Sequence, residues 1–259
     1  MSTRPELGSL LDDLRAEHDE LRALVARVEL DLATPALPWD VRDTVSHLAG
    51  TDEEATKAAT DPERFVRELA GVAMDVEGFL TGQLEQRRGL SREALVQGWR
   101  AGFDRMLEAF RTLPPGTKVP WYGPPMSPAS FATARLMEYW AHGQDVVDAA
   151  GLTRPPTGRL VHVCHLGVRT RGFSYVNRGL TPPPGDVRVE LRGPDGDLWT
   201  WGEGDDTVTG SAEHFCLLVT QRRHRADLDL RASGPLADSW LDVAQAFAGP
   251  PGPGREAAT

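Results

Sequence analysis

One segment of the sequence, RLMEYWAHGQDVVDAAG from Arg135 to Gly151, carries side chains that can bind a metal ion. Glu138 and His142 are four residues apart, and Asp145 follows three residues later. At about 100° per residue, all three fall on one side of a helix. Two ligands at i and i+4 can reach a single ion, as in helical zinc sites. The same spacing is typical of acid–base pairs on exposed helices, so this segment alone leaves both interpretations open.

A third candidate ligand is His47, which lies in VRDTVSHLAG among apolar residues with helical spacing. A helical bundle pools side chains of facing helices in its core, so His47 can join Glu138 and His142. Three protein ligands would leave a position open for water or substrate, as metal catalysis requires. Asp43 precedes His47 by four residues. Asp43 and Asp145 are either second-sphere groups that orient the ligand imidazoles or ordinary exposed helix carboxylates.

The loop VPWYGPPMS lies directly before the Glu138 helix and contains Trp121 and Tyr122 among prolines. These two aromatic residues are predicted to bind substrate as a wall over the metal, with packing against the bundle as the alternative. The HVCH segment with His162, Cys164 and His165 resembles ligand spacing, but neighbouring helical positions point apart, which favours a structural role. His18 lies on a strongly charged helix face and is predicted to be exposed to solvent.

Long helical segments joined by loops indicate an antiparallel bundle for residues 1–155. Helices are predicted from Glu6 to Leu32, from Asp40, from the helix-opening pair Asp61-Pro62, after Ser91, and from Pro128 to Ala150. The stretch that ends at Arg88 is less regular, which indicates a broken helix or an inserted lid.

Residues 156–249 are predicted to form a small α+β domain, and the Gly- and Pro-rich residues 250–259 a disordered tail. Its helices are predicted at Leu160–Gly179, Ser211–Arg223 and Pro235–Phe247. VRVELRG, DLWTWGEG, Thr207–Thr209 and ADLDLRAS have the pattern of short strands.

The composition excludes several classes of protein. The 259 residues carry a net charge of −10, whereas a nucleic-acid-binding protein needs a basic face. The sequence lacks an apolar run near the roughly 20 residues that span a bilayer, and its N-terminus has no apolar signal core. We therefore expect a cytoplasmic protein without nucleic-acid or membrane partners, acting as a monomer or homodimer. Its two cysteines, Cys164 and Cys216, are expected to be free buried thiols.

The two candidate ligand segments together resemble a known family. WDVRDTVSHLAG, with Trp39, Val41, Asp43, His47 and Leu48, and ARLMEYWAHGQDVVDA, with Glu138 and His142, resemble the paired signature of the DinB-like superfamily. More narrowly, they resemble the mycothiol-dependent maleylpyruvate isomerase group. The C-terminal segment GSAEHFCLLVTQRRHRADLDLRASG is similar to that group's second domain, and within the group the chain looks closer to an uncharacterised branch with a wyosine-formation-like C-terminal domain.

The resemblance implies an N-terminal DinB-like four-helix bundle followed by a small α+β domain. It implies a divalent metal held by His47, Glu138 and His142, with zinc as the first candidate and nickel, iron or manganese as alternatives. It also implies an enzyme that acts on a small molecule, a transferase or isomerase with mycothiol as its thiol. The family's functional arginine has no evident counterpart, although Arg87, Arg88 and Arg100 are candidates. A thiol-independent lyase, cyclase or hydrolase of specialised metabolism and a non-enzymatic metal-binding stress protein are the alternatives.

Overall fold

The computed structural model of the chain describes residues 6–252 and 254–258. Two compact units divide between Thr153 and Arg154. Helices build the first unit, and a four-stranded sheet with helices builds the second. This architecture confirms the predicted fold class. No helix in the described part of the chain is long and apolar enough to cross a membrane.

The helical unit is a four-helix bundle with two added helices. It contains α1 (Leu7–Val25), α2 (Val41–Thr60), α3 (Pro62–Met74), α4 (Val76–Arg88), α5 (Arg92–Thr112) and α6 (Pro128–Ala149). Helix α1 packs against α6 and α2 packs against α5, while α3 and α4 lie against α2. The apolar stripes of the four bundle helices form the core, which includes Leu10, Leu14, Val45, Leu48, Leu95, Phe103, Leu136 and Val146.

Each of the helices α2 to α6 begins directly after a residue that caps its N-terminus. An Asp or Ser before the helix accepts a hydrogen bond from the backbone N–H three residues later, which satisfies a donor that the helix leaves unpaired. These N-caps are Asp40, Asp61, Asp75, Ser91 and Ser127. The irregular stretch before Arg88 is thus two helices that meet at Asp75.

Helix α1 ends at Val25, so the prediction that it reaches Leu32 is wrong. The Arg92 guanidinium donates to the carbonyls of Val25 and Val28 at 2.7 and 2.8 Å, which satisfies acceptors at the helix end. The carbonyls of Leu30 and Leu32 then accept from the first N–H groups of α2. The chain leaves the helix because these distant partners replace its own hydrogen bonds.

The second unit contains α7 (Leu160–Arg169), α8 (Arg171–Val176), β1 (Val187–Arg192), β2 (Leu198–Trp201), β3 (Asp206–Ser211), α9 (Ala212–Val219), β4 (Leu230–Ser233) and α10 (Pro235–Val243). The sheet order is β2-β1-β3-β4, with β1 and β3 parallel and the outer pairs antiparallel. Alternate residues of β1 are buried, as the sequence pattern predicts.

Several predicted boundaries in this unit are wrong because the backbone finds other partners. The helix predicted for Leu160–Gly179 is interrupted at Thr170, whose hydroxyl donates to the carbonyl of Gln245. Helix α9 stops at Val219 rather than Arg223, since Gln221 adopts a left-handed conformation with φ 57°. Helix α10 stops at Val243 rather than Phe247, because Ala246 donates to the carbonyl of Val219. ADLDLRAS begins with a 3₁₀ turn, and only Leu230–Ser233 is a strand.

Candidate metal centre

His47 lies on α2, nearly two turns after the Asp40 cap, and faces the interior of the helical unit. Its side chain is 13% exposed. The Trp39 ring, just before α2, lies 4.8 Å from the His47 ring and 5.7 Å from the His142 ring, measured between centroids. Trp39 therefore covers the two imidazoles, a role that the sequence interpretation missed although Trp39 belongs to the same motif.

Glu138 and His142 lie one turn apart on α6, opposite His47. Glu138 Oε2 is 3.4 Å from His142 Nε2 and 3.9 Å from His47 Nε2. One ligand atom from each of the three residues lies within 4.8 Å of the other two. Two ligands of a tetrahedral zinc ion, each bound at about 2.0–2.1 Å, are roughly 3.3 Å apart. The two carboxylate–imidazole separations are thus close to the spacing that one ion requires.

The electrostatics of these residues favour the forms that bind metal. Burial lowers the pKa of His47 to about 4, so its imidazole is neutral at pH 7. Burial alone would raise the pKa of Glu138, but hydrogen bonding from His142 and His47 outweighs it and holds that pKa well below its usual value. Two imidazoles and one carboxylate are a donor set for zinc and other divalent transition metals. The residues present therefore fit the ion that the sequence resemblance implies.

The two predicted second-sphere carboxylates differ in their surroundings. Asp145 is fully buried, and its Oδ2 lies 3.2 Å from Nδ1 of His142, on the side of the ring away from Glu138. This contact can fix the orientation of the imidazole. Asp43 is also buried, but the ion pair that it makes is with Arg88 at 3.6 Å. Nδ1 of His47 is buried without a hydrogen-bond partner among the described residues.

Tyr122 contacts the C-terminal half of α2, and Trp121 lies beside Phe65 of α3 and Phe131 of α6. Trp121 stacks on Phe65 with ring centroids 5.6 Å apart. The Tyr122 hydroxyl donates to Glu54, seven residues beyond His47 on α2. Seven residues of helix span about 10 Å, so these rings do not form the immediate wall of the histidine cluster. Their role in substrate binding stays a prediction.

The three candidate arginines differ in burial and in the carboxylate that each one pairs with. Arg87 on α4 is buried and pairs with Glu53 of α2 at 2.6 Å. Arg88 pairs with Asp43, and Arg100 lies 3.9 Å from Asp104; both arginine side chains are more than half exposed. Arg87 is therefore the candidate that contributes a buried guanidinium to the α2 face.

A second buried polar cluster joins α2 to α6 and was missed in the sequence. Asp52 accepts hydrogen bonds from Arg135 at 2.9 Å and from Tyr139 at 2.5 Å, and Trp99 donates to the Tyr139 hydroxyl at 2.8 Å. All four side chains are at most 3% exposed. Arg135 precedes Glu138 by three residues on α6, but its guanidinium pairs with Asp52.

His18 is buried, so the prediction that it is exposed to solvent is wrong. Its ring stacks on Phe103 at 4.0 Å and meets the edges of Trp99 and Tyr139. Burial lowers its pKa to about 4. Charged residues flank His18 in sequence, but the helix turns its own ring toward the aromatic core.

The two cysteines are free and buried, as predicted. Their sulfur atoms are 3.5 Å apart, between α7 and α9. His162 of the same segment is also buried. The metal-ligand cluster found among the described residues is the one on α2 and α6.

Comparison with known proteins gives matches at three levels. The model of the mycothiol maleylpyruvate isomerase N-terminal domain matches residues 14–147. Two uncharacterised proteins from strains of Mycobacterium tuberculosis are 48% identical over 253 residues, which cover 96% of this chain and 98% of theirs. Crystal structures of the mycothiol-dependent maleylpyruvate isomerase and of a histidine-to-alanine mutant superpose with a TM-score of 0.60 at 14% identity. They cover 92% of this chain and 99% of theirs.

Proposed function

Since this chain belongs to the mycothiol maleylpyruvate isomerase family, we propose that it is a metal-dependent enzyme that uses mycothiol to isomerise or transfer a small organic substrate. The observation that carries the proposal is the convergence of His47, Glu138 and His142 from two facing helices onto one point. Such convergence of two imidazoles with a carboxylate has a ready explanation in a bound divalent ion. Zinc is the first candidate, and nickel, iron and manganese are alternatives.

A bound divalent ion would lower the pKa of a thiol or water, or polarise a substrate carbonyl. The protein's own groups hold and shape this site. Asp145 fixes the His142 ring so that Nε2 points toward Glu138. Trp39 packs over both imidazoles and limits access of water on its side. Because the chain supplies three ligands, a coordination position stays available to the reacting molecule.

Arg87 is the residue that we propose for binding an anionic substrate group. It is buried, and its partner Glu53 is about half-exposed, so an incoming carboxylate can compete for the guanidinium.

The proposal is tested with cobalt-loaded protein, because Co²⁺ reports on its ligands by absorption. Mycothiol titrated into wild-type protein should bind with a thiolate-to-cobalt charge-transfer band, and Glu138→Gln should weaken both the metal and this band. Maleylpyruvate is then the first substrate to assay. Intact metal binding without a response to millimolar mycothiol would contradict the thiol-dependent function and favour a thiol-independent metal-dependent lyase, cyclase or hydrolase.

A further inference from the structure

A concavity in the helical unit lies between α2, α3, α4 and the loop that precedes α6. Its volume is about 180 Å³. Three aromatic rings, those of Phe65, Phe79 and Tyr122, line it together with the aliphatic side chains of Leu69 and Val72. We refer to this cavity as the aryl pocket. An apolar cavity of about 150 Å³ is large enough to hold a benzene ring, so the aryl pocket can take a group of that size.

The rings of the aryl pocket stand at angles that suit another ring. The Tyr122 ring is tilted by 59° to Phe65 and by 57° to Phe79, with centroids 5.4 and 6.1 Å away. Trp121 stacks behind Phe65 and contacts Phe131, which supports this wall from the bundle side. An added aryl group can therefore make offset or edge-to-face contacts with side chains that are already packed in place.

The charges at the aryl pocket indicate a neutral ligand group rather than a cation. Glu54 and Glu68 also line the cavity, but Lys57 binds both carboxylates, at 2.8 and 2.6 Å. Arg64 adds a second bond to Glu68 at 2.7 Å. Two carboxylates thus face two cations, and a ligand cation would have to displace one of them.

The aryl pocket lies on the same face of α2 as the metal centre. His47, Gly50 and Glu54 are spaced i, i+3 and i+7, and the outer two are about 10 Å apart along the axis. Gln83 covers Gly50 so closely that a Cβ there would lie 2.7 Å from its Oε1. That oxygen is buried and has no hydrogen-bond partner among the residues that the structure describes. A ligand N–H or O–H that reached this oxygen would satisfy it.

We propose that the aryl pocket binds the remote, uncharged aryl or branched alkyl end of the metal centre's substrate. This assignment rests on the proposed function and specifies its substrate. The substrate would carry a metal-binding thiol or carbonyl group, an apolar group about 10 Å away, and a hydrogen-bond donor between them that meets Gln83.

The test uses hydroxamic acids, which bind divalent metals, on zinc-loaded protein. Acetohydroxamic acid probes the metal centre alone, and a series with a terminal phenyl group on linkers of increasing length probes the aryl pocket. Affinity should rise at least about tenfold at the linker that places the ring about 10 Å from the metal. Leu69→Trp, which fills the cavity, should remove this gain. Val66→Trp adds the same side chain at a position that is 53% exposed on α3 and should keep it.

The outcomes separate the pocket from the metal centre. Acetohydroxamic acid should bind wild type and Leu69→Trp equally, which also shows that the variant is folded. If it binds but the phenyl series gives no gain, or the gain survives in Leu69→Trp, the aryl pocket is overturned while the metal centre stands. If acetohydroxamic acid does not bind the protein at all, the metal centre is overturned and this assignment with it.

Discussion

Two polar clusters join α2 to α6, one fully buried and one partly exposed, and they differ in how their charges are matched. In the first, both oxygens of Asp52 accept hydrogen bonds, one from Arg135 and one from Tyr139. In the second, Glu138 faces the imidazoles of His47 and His142 at 3.9 and 3.4 Å. The first contains its own cation, whereas the second is a set of donors directed at one point.

The difference shows what each cluster contributes. A closed ion pair, in which both carboxylate oxygens accept hydrogen bonds, fixes how two helices meet and already holds the cation that its carboxylate needs. A cluster of one carboxylate and two imidazoles contains no arginine or lysine, so a bound metal ion would supply the positive charge. Both clusters lie a few residues apart on the same two helices. The Asp52–Arg135 cluster, which we call the closed cluster, holds together the helices that carry the His47–Glu138–His142 cluster, which we call the open cluster.

The largest expected effect comes from breaking the closed cluster. Asp52→Ala leaves the Arg135 charge buried without its partner, which should lower the free energy of unfolding by about 3–5 kcal/mol in urea denaturation of metal-free protein. Glu138→Gln should cost less than about 1 kcal/mol under the same conditions, because Glu138 is a quarter exposed and leaves no buried cation.

The double variant Asp52→Leu with Arg135→Met serves as the control, since replacing both partners should restore most of the loss. Equal losses for Asp52→Ala and Glu138→Gln would remove the distinction between the two clusters.

A smaller effect concerns His18, a buried histidine that belongs to neither cluster. Its pKa is lowered to about 4 in the folded protein, against 6.5 for the free side chain. The unfolded chain therefore binds the proton first, and stability should fall as the pH drops from 6.5 to 4. His18→Phe should flatten this part of the stability–pH curve in urea denaturation. An unchanged slope would show that His18 does not titrate in this way.

The smallest expected effect concerns how Asp145 orients the His142 ring in the open cluster. Asp145→Asn keeps the size of the side chain but weakens its hold on the His142 ring, which should reduce zinc affinity about 10- to 100-fold. Competition with a chromogenic chelator measures this change. Asp148→Asn is the matched control on the same helix, because Asp148 accepts a hydrogen bond from Gln144. If the two variants bound zinc alike, Asp145 would have no orienting role.

The sequence was most informative where structure depends on near neighbours. Helix starts at Asp40 and Asp61 follow from caps within three residues, and the Glu138–His142 pair follows from one helical turn. Spacing alone does not decide whether Glu138 and His142 bind a metal or form an ordinary acid–base pair on an exposed helix. Their pairing with His47 follows from the family resemblance.

Features that depend on distant residues were not predictable. Helix α1 ends where Arg92, 67 residues beyond Val25, donates to its carbonyls. His18 looked exposed because its sequence neighbours are charged, yet its ring lies among aromatic residues of α5 and α6. Trp121 and Tyr122 were expected beside the metal, but packing with Phe65 draws them toward the other end of α2.

The central claim is that His47, Glu138 and His142 together bind one divalent ion. Equilibrium dialysis against zinc with elemental analysis tests it directly, on wild-type protein and on His47→Ala, Glu138→Ala and His142→Ala. The account predicts one tightly bound ion per wild-type chain, with a rise in thermal stability on loading, and its loss in each variant. A full complement of zinc in His47→Ala and His142→Ala would contradict the account.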